Sequence, residues 1–284
     1  MRAVLCLLVL LALTFAFPAL PASAVTARAL GMGEAQTALA SDAAAWVYNP
    51  AGLAWLPQAS PQGKGSQLIV GFGQVDTEDI VGENTTIYHV HTASPVGGRT
   101  MSWAAGAVRF ALADTQLTAL GAGFGARLGK TQGWSWGASI TQVEVEVSGL
   151  GSDSDTYVDA GLILGGLPVG KEGARGGTLR IGAVWHDLLS ESDTTVLDVG
   201  AALLGAGYVV DLDILDITDD IDQTVNVGAE LEFGGGLLGR IGSLDGDLTV
   251  GGGLRTSTFQ LDFAHAQLAD GDTPATMVSL TTRF

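Results

Sequence analysis

From residue 66 to the end of the chain, apolar and polar side chains alternate in short runs, separated by clusters of Gly, Asp, Ser or Pro. Successive residues of a strand face opposite ways, so each run predicts a strand with one apolar face. Phe259, Leu261 and Phe263 oppose Thr258, Gln260 and Asp262, and Val225, Val227, Ala229, Leu231 and Phe233 oppose Asn226, Gly228, Glu230 and Glu232. Leu179, Ile181, Ala183 and Trp185 oppose Arg180, Gly182, Val184 and His186, while Leu120, Ala122, Phe124, Ala126 and Leu128 oppose a mainly Gly face. The breaks define candidate strands at 66–75, 85–93, 100–110, 116–128, 134–147, 156–165, 178–186, 195–203, 207–216, 223–233, 237–243, 247–255, 257–266 and 275–284, which is fourteen. Twelve is the alternative count, and the split around Gly205–Gly207 is the least secure of the breaks. An all-β, closed antiparallel transmembrane barrel is the architecture that gives such strands two different environments and leaves no unpaired edge in hydrocarbon.

The first residues follow another pattern. Arg2 precedes an apolar run from Ala3 to Leu20 that ends near Ala22-Ser23-Ala24, a basic start, hydrophobic stretch and small-residue cleavage site. Residues 1–24 are therefore expected to be a signal peptide, residues 25–65 an N-terminal plug, and residues 66–284 the barrel. Cys6, the chain's single cysteine, lies inside the signal, so the mature chain is expected to have no disulfide and no thiolate chemistry.

Composition sharpens this picture. Charged residues make up 15% of the chain, against roughly 25% in ordinary globular domains. Gly supplies 41 of 284 positions, and mean hydropathy is +0.34. Beyond the signal no stretch of apolar residues is long enough for a membrane helix. There are 30 acidic and 13 basic residues, a balance that disfavours nucleic acid as a partner.

Between signal and first strand, Val25–Leu56 is Ala- and Gly-rich without alternation, and Glu34–Val47 is expected to form a short helix stopped at Asn49-Pro50. Too small to fold alone, the segment has the barrel lumen as its nearest packing surface. Arg28-Ala29-Leu30-Gly31-Met32-Gly33, then Ala35, Thr37-Ala38, Asp42-Ala43 and Tyr48-Asn49-Pro50-Ala51-Gly52-Leu53 resemble the N-terminal signature of the FadL-like barrels and the related PorV/PorQ family. Gly251-Gly252-Gly253-Leu254-Arg255 and Phe259–Ala266 resemble that family's penultimate hairpin. The resemblance implies fourteen strands, with Gly31, Gly33 and the Asn49, Pro50, Ala51 element held in the lumen as a plug. It also implies passage of small hydrophobic molecules across the outer membrane or, for PorV/PorQ-like members, docking of cargo and secretion-system proteins. The chain carries Glu34 where family members often carry Gly.

Other candidate residues fit this frame. Arg180, Glu230, Arg255, Asp262 and Asp211 fall on the inward face as lumen residues that hold the plug or line a route. Val278, Leu280, Thr282 and the terminal Phe284 share a face, resembling the last-strand signal read by the outer-membrane barrel assembly machinery. Expected surroundings are outer-membrane lipid, reached after export to the periplasm. His89 and His91 lack a third ligand, the acidic stretches lack the spacing of a calcium loop, and Gly121–Gly125 lies within a strand; no metal, cofactor or catalytic site is expected.

Overall fold

The computed structural model describes residues 26–56, 65–77, 84–96, 100–112, 114–129, 133–169, 176–189, 196–218, 223–268 and 273–284. The expected signal peptide and its cleavage site lie outside these residues. Fourteen antiparallel strands form a closed barrel in which each strand pairs with its neighbours in sequence and β1 pairs with β14. They are β1 Gln67–Val75, β2 Thr85–Val96, β3 Met101–Leu112, β4 Thr115–Arg127, β5 Gly133–Val147, β6 Gly151–Val169, β7 Gly177–His186, β8 Val196–Gly205, β9 Tyr208–Leu215, β10 Thr224–Phe233, β11 Leu237–Leu244, β12 Asp247–Arg255, β13 Phe259–Leu268 and β14 Thr273–Arg283. The division at Gly205–Gly207 is a tight turn between β8 and β9, with Gly207 at φ 84°, so the count is fourteen.

Closure lets every strand satisfy its backbone laterally, which hydrocarbon requires. The faces then separate by parity. Leu120, Phe124, Leu231 and Phe263 are 54%, 39%, 51% and 49% exposed, whereas the intervening positions face a filled interior. From Leu120 on β4 to Leu128 just past its end, the outward apolar run spans nine residues, a fit to an apolar band about 25 Å tall once the strand is tilted. Where β5 continues past Ile140, its outer face becomes Gln142, Glu144 and Glu146, and the neighbouring outer positions are Arg109, Gln116 and Thr118. The band therefore ends on both sides of this hairpin at one level. Outward aromatics pair across strands, Phe72 with Tyr88 at 5.5 Å and Phe124 edge-on to Trp136 at 5.2 Å between ring centroids, as expected of an interface girdle.

We call the end where β1 begins and β14 finishes the terminal rim, and the opposite end the loop rim. At the loop rim, Asp187, Asp216 and Asp245 sit just past β7, β9 and β11 at φ 52°, 49° and 51°, the left-handed region that Asp tolerates better than most residues. Their backbone N–H groups donate to lumenal side chains of Asp159, Asp198 and Asn226 respectively. Strands β5 and β6 run on past the others, so Gly151–Asp155, which lie before the candidate strand 156–165, are the exposed start of β6. Near the terminal rim, β6 carries a bulge: pairing with β7 jumps from Leu164 to Leu167, and Gly166 takes φ 74°.

Residues 26–56 fill the lumen as an irregular thread. Helix α1 spans Ala27–Gly31, helix α2 spans Ala45–Tyr48, and a 3-10 turn spans Pro50–Trp55. The single helix expected over Glu34–Val47 does not form. Gly33 and Glu34 both adopt φ 61°, which ends any right-handed helix there, and the Asp213 carboxylate takes the N–H groups of Gln36 and Thr37 at 2.6 and 2.7 Å. Glu34 thus occupies a backbone position suited to glycine.

Candidate functional site: the plug and its lumen

The plug lies against the wall because the wall has no side chains where the plug backbone passes. A Cβ built on Gly125, Gly137, Gly182, Gly228 or Gly242 would fall closer than 3.0 Å to plug backbone atoms of Pro50, Thr37, Met32 or Gly33. These glycines are paired across the sheet: Gly125 with Gly137, Gly137 with Gly161, Gly182 with Gly200, and Gly228 with Gly242. Together they form an inner belt, so close approach is a property of the wall as a whole. Asn49 and Pro50 meet it at β4, β5 and β6, and a Cβ built on Gly31 would lie 3.2 Å from the Gly251 Cα of β12.

Asn49 holds the turn of the plug. Its Oδ1 accepts from Ala51 N–H at 3.0 Å, and its Nδ2 donates to the carbonyls of Thr37 at 2.7 Å and Ala183 at 3.3 Å. The Asn-Pro-Ala element therefore fastens one plug segment to another and both to β7. Pro50 suits the first position of the turn, where no N–H partner is needed.

Ion pairs hold the other end of the plug. Arg28 reaches Glu230 on β10 at 3.2 Å and Asp42 of the plug at 3.6 Å. Arg240 on β11, whose side chain is fully buried, pairs with the same Glu230 oxygen at 2.8 Å and with Asp262 on β13 at 2.8 Å. Burial alone would push the Arg28 pKa down, but the carboxylates of Glu230 and Asp42 outweigh it and hold the guanidinium above its ordinary range, fully charged. Sequence reasoning placed Glu230 and Asp262 on the lumenal face, and the structure brings both into this network. It missed Arg28 and Arg240 as their partners; the signal was present as Arg240 standing directly across from Glu230 in the β10–β11 register. Arg255 lies at the terminal rim, paired with Glu232 and partly exposed, away from the plug. Arg180 points inward but joins a different group, with Arg127 and Trp55. Phe284 is exposed and its backbone pairs with Ser66.

The lumen is divided above the plug. On one side an apolar cluster runs without a break from Val75, Ile87, Val108, Leu244 and Leu268 near the loop rim to Trp46 and Leu53 of the plug, with Phe110 and Ala119 packed on it. Leu117 and Val145, paired partners on β4 and β5, extend the same inner face toward the loop rim as half-buried residues. Trp46 is 1% exposed, and its Nε1 donates to His91 Nδ1 at 3.2 Å. The other side is acidic: His186 stands between Asp159 at 3.4 Å and Asp198 at 3.1 Å, and the Asp213 carboxylate holds the plug N–H groups of Gln36 and Thr37. The plug thus packs on apolar side chains on one side and is bound by charge and hydrogen bonds on the other.

No protein-family model matches the chain, and no curated protein sequence does. Solved structures do match its fold. The Ralstonia pickettii toluene transporter TbuX is 11% identical with a TM-score of 0.66, covering 94% of this chain and 100% of that one. The P. putida toluene transporter TodX is 12% identical with a TM-score of 0.60, covering 92% and 99%. A Pseudomonas aeruginosa FadL homologue is 10% identical with a TM-score of 0.58, covering 92% and 98%. Over nearly its whole described length, this chain has the fold of the FadL-type outer-membrane barrels.

Proposed function

We propose that the protein sits in the bacterial outer membrane, with its terminal rim toward the periplasm, and passes small hydrophobic molecules inward. The observation that carries this reading is the unbroken apolar cluster from the loop rim to Trp46. A solute leaving water would gain roughly 25 cal/mol for each Å² of apolar surface it buries there. The acidic side of the lumen and the buried ion pairs give a charged or hydrophilic solute no comparable reward. Toluene transport by TbuX and TodX, which share the fold, is in line with this choice of solute. The terminal strand ending at Phe284 is the segment offered to the assembly machinery.

The test uses a diderm host lacking its own hydrocarbon channels, given radiolabelled toluene at limiting concentration. Expression of the protein is expected to raise the initial uptake rate, and Phe110→Asp, which puts a charge on the apolar route, is expected to return it to the background rate. Equal rates with and without the protein would contradict the reading.

A further inference from the structure

At the terminal end of the lumen two arginines share one tryptophan. The guanidinium carbons of Arg127, the last residue of β4, and Arg180 on β7 each lie 4.5 Å from the centroid of the Trp55 ring. The two positive charges are thus no further apart than twice that distance. Trp55 ends the plug, and its Nε1 donates to Ser135 Oγ at 2.7 Å, which fixes the ring. Gly165, at the bulge of β6, leaves the room: a Cβ there would lie 2.6 Å from the Trp55 ring and 3.2 Å from Arg180 Cγ. Five parts of the fold, β4, β5, β6, β7 and the plug, therefore converge to place these cations side by side.

Neither arginine is satisfied. Arg127 Nε and Arg180 Nη1 are buried and have no hydrogen-bond partner. The ion pairs that arginines form among the described residues belong to Arg28, Arg240 and Arg255. Asp211 on β9 attracts Arg180 only from beyond ion-pair distance. In a chain with 30 acidic and 13 basic residues, this is not for want of carboxylates. Like charges held together with buried donors unfilled are costly, and a fork of N–H groups matches the paired oxygens of a carboxylate or phosphate.

We propose that Arg127, Arg180 and Trp55 form an oxyanion-binding site at the terminal end of the lumen, which takes a carboxylate or phosphate group. The indole and the apolar wall accept whatever apolar body carries that group, while the guanidinium N–H groups bind its oxygens. This goes beyond passage of neutral apolar solutes and does not depend on it. Two sources supply such a group at this rim: the acid function of a small organic solute, or the headgroup of a phospholipid.

The test uses the purified barrel in non-ionic detergent at low salt. Sodium benzoate and inorganic phosphate are titrated by calorimetry, and phosphatidylglycerol is added in mixed micelles and followed by native mass spectrometry. At least one of the three is expected to bind. Arg127→Gln and Arg180→Gln should each weaken that binding roughly tenfold or more, the loss of a charge-assisted contact. Arg255→Gln, at the rim but outside the site, should leave it unchanged. Arg180→Lys keeps the charge without the fork and should fall between. The gel-mobility shift on boiling confirms that each variant remains a folded barrel. Binding of phosphatidylglycerol alone assigns the site to a lipid headgroup, and binding of benzoate assigns it to a solute acid. Absence of binding by all three, or equal binding by the double glutamine variant, would overturn the proposal.

Discussion

Arg240→Ala is expected to lower the stability of the barrel by about 3–5 kcal/mol, the cost of removing one partner from a buried charge network. Arg240 is fully buried and bridges Glu230 and Asp262, so its loss leaves Asp262 with no cation at ion-pair distance and Glu230 with Arg28 alone. The same network carries the plug's ion pair to the wall, so the plug is loosened along with β10, β11 and β13. Arg255→Ala provides the contrast. Its pair with Glu232 is more than a third exposed, and such pairs contribute about 0–1 kcal/mol. Urea midpoints of the heat-dependent gel shift, in detergent, measure both. Equal midpoints for the two variants would mean that the buried network does not support the fold as described.

A second large effect is expected at the glycine belt. Valine is a good strand residue, so Gly182→Val should leave β7 able to pair. Its new side chain, however, meets the backbone of Thr37 and Ala38. Overpacking of about 1–3 kcal/mol in a position that only the docked plug occupies raises the undocked fraction roughly 5- to 150-fold. In planar bilayers this should appear as ion conductance that the native barrel does not show. Gly252→Val is the control, since a Cβ there meets nothing nearer than the Leu238 carbonyl oxygen at 3.5 Å. A silent Gly182→Val barrel, properly folded, would mean that the belt does not set the seating of the plug.

The strands were legible because the two faces differ in chemistry at every second residue. The run Val225–Phe233 shows it well, with Asn226, Gly228 and Glu230 buried and Val225, Val227 and Leu231 exposed. The plug was legible as a segment but not as a shape. Glu34–Val47 has helical composition, yet Asp213 and the belt glycines, all far along the chain, impose turns on it. Abundant glycine was visible in the sequence, whereas its purpose needed strand register: Gly182 and Gly200, or Gly228 and Gly242, become one surface only when paired. Lumenal charges could be placed on a face by parity, but parity cannot say which charges meet. Glu230 found Arg28 from some two hundred residues away, and Arg180 found Trp55 and Arg127 instead of an acid.

The outer face of the barrel meets lipid while its inner face meets the plug. Variants that keep one tryptophan each, reconstituted in bilayers with brominated acyl chains, test this directly. Trp103 and Trp136, 42% and 45% exposed on the outer face, are expected to lose most of their fluorescence to the bromines. Trp46, 1% exposed between plug and wall, is expected to keep the intensity it has in unbrominated lipid. Quenching of Trp46 as strong as that of Trp136, or a Trp136 that the bromines leave bright, would contradict it.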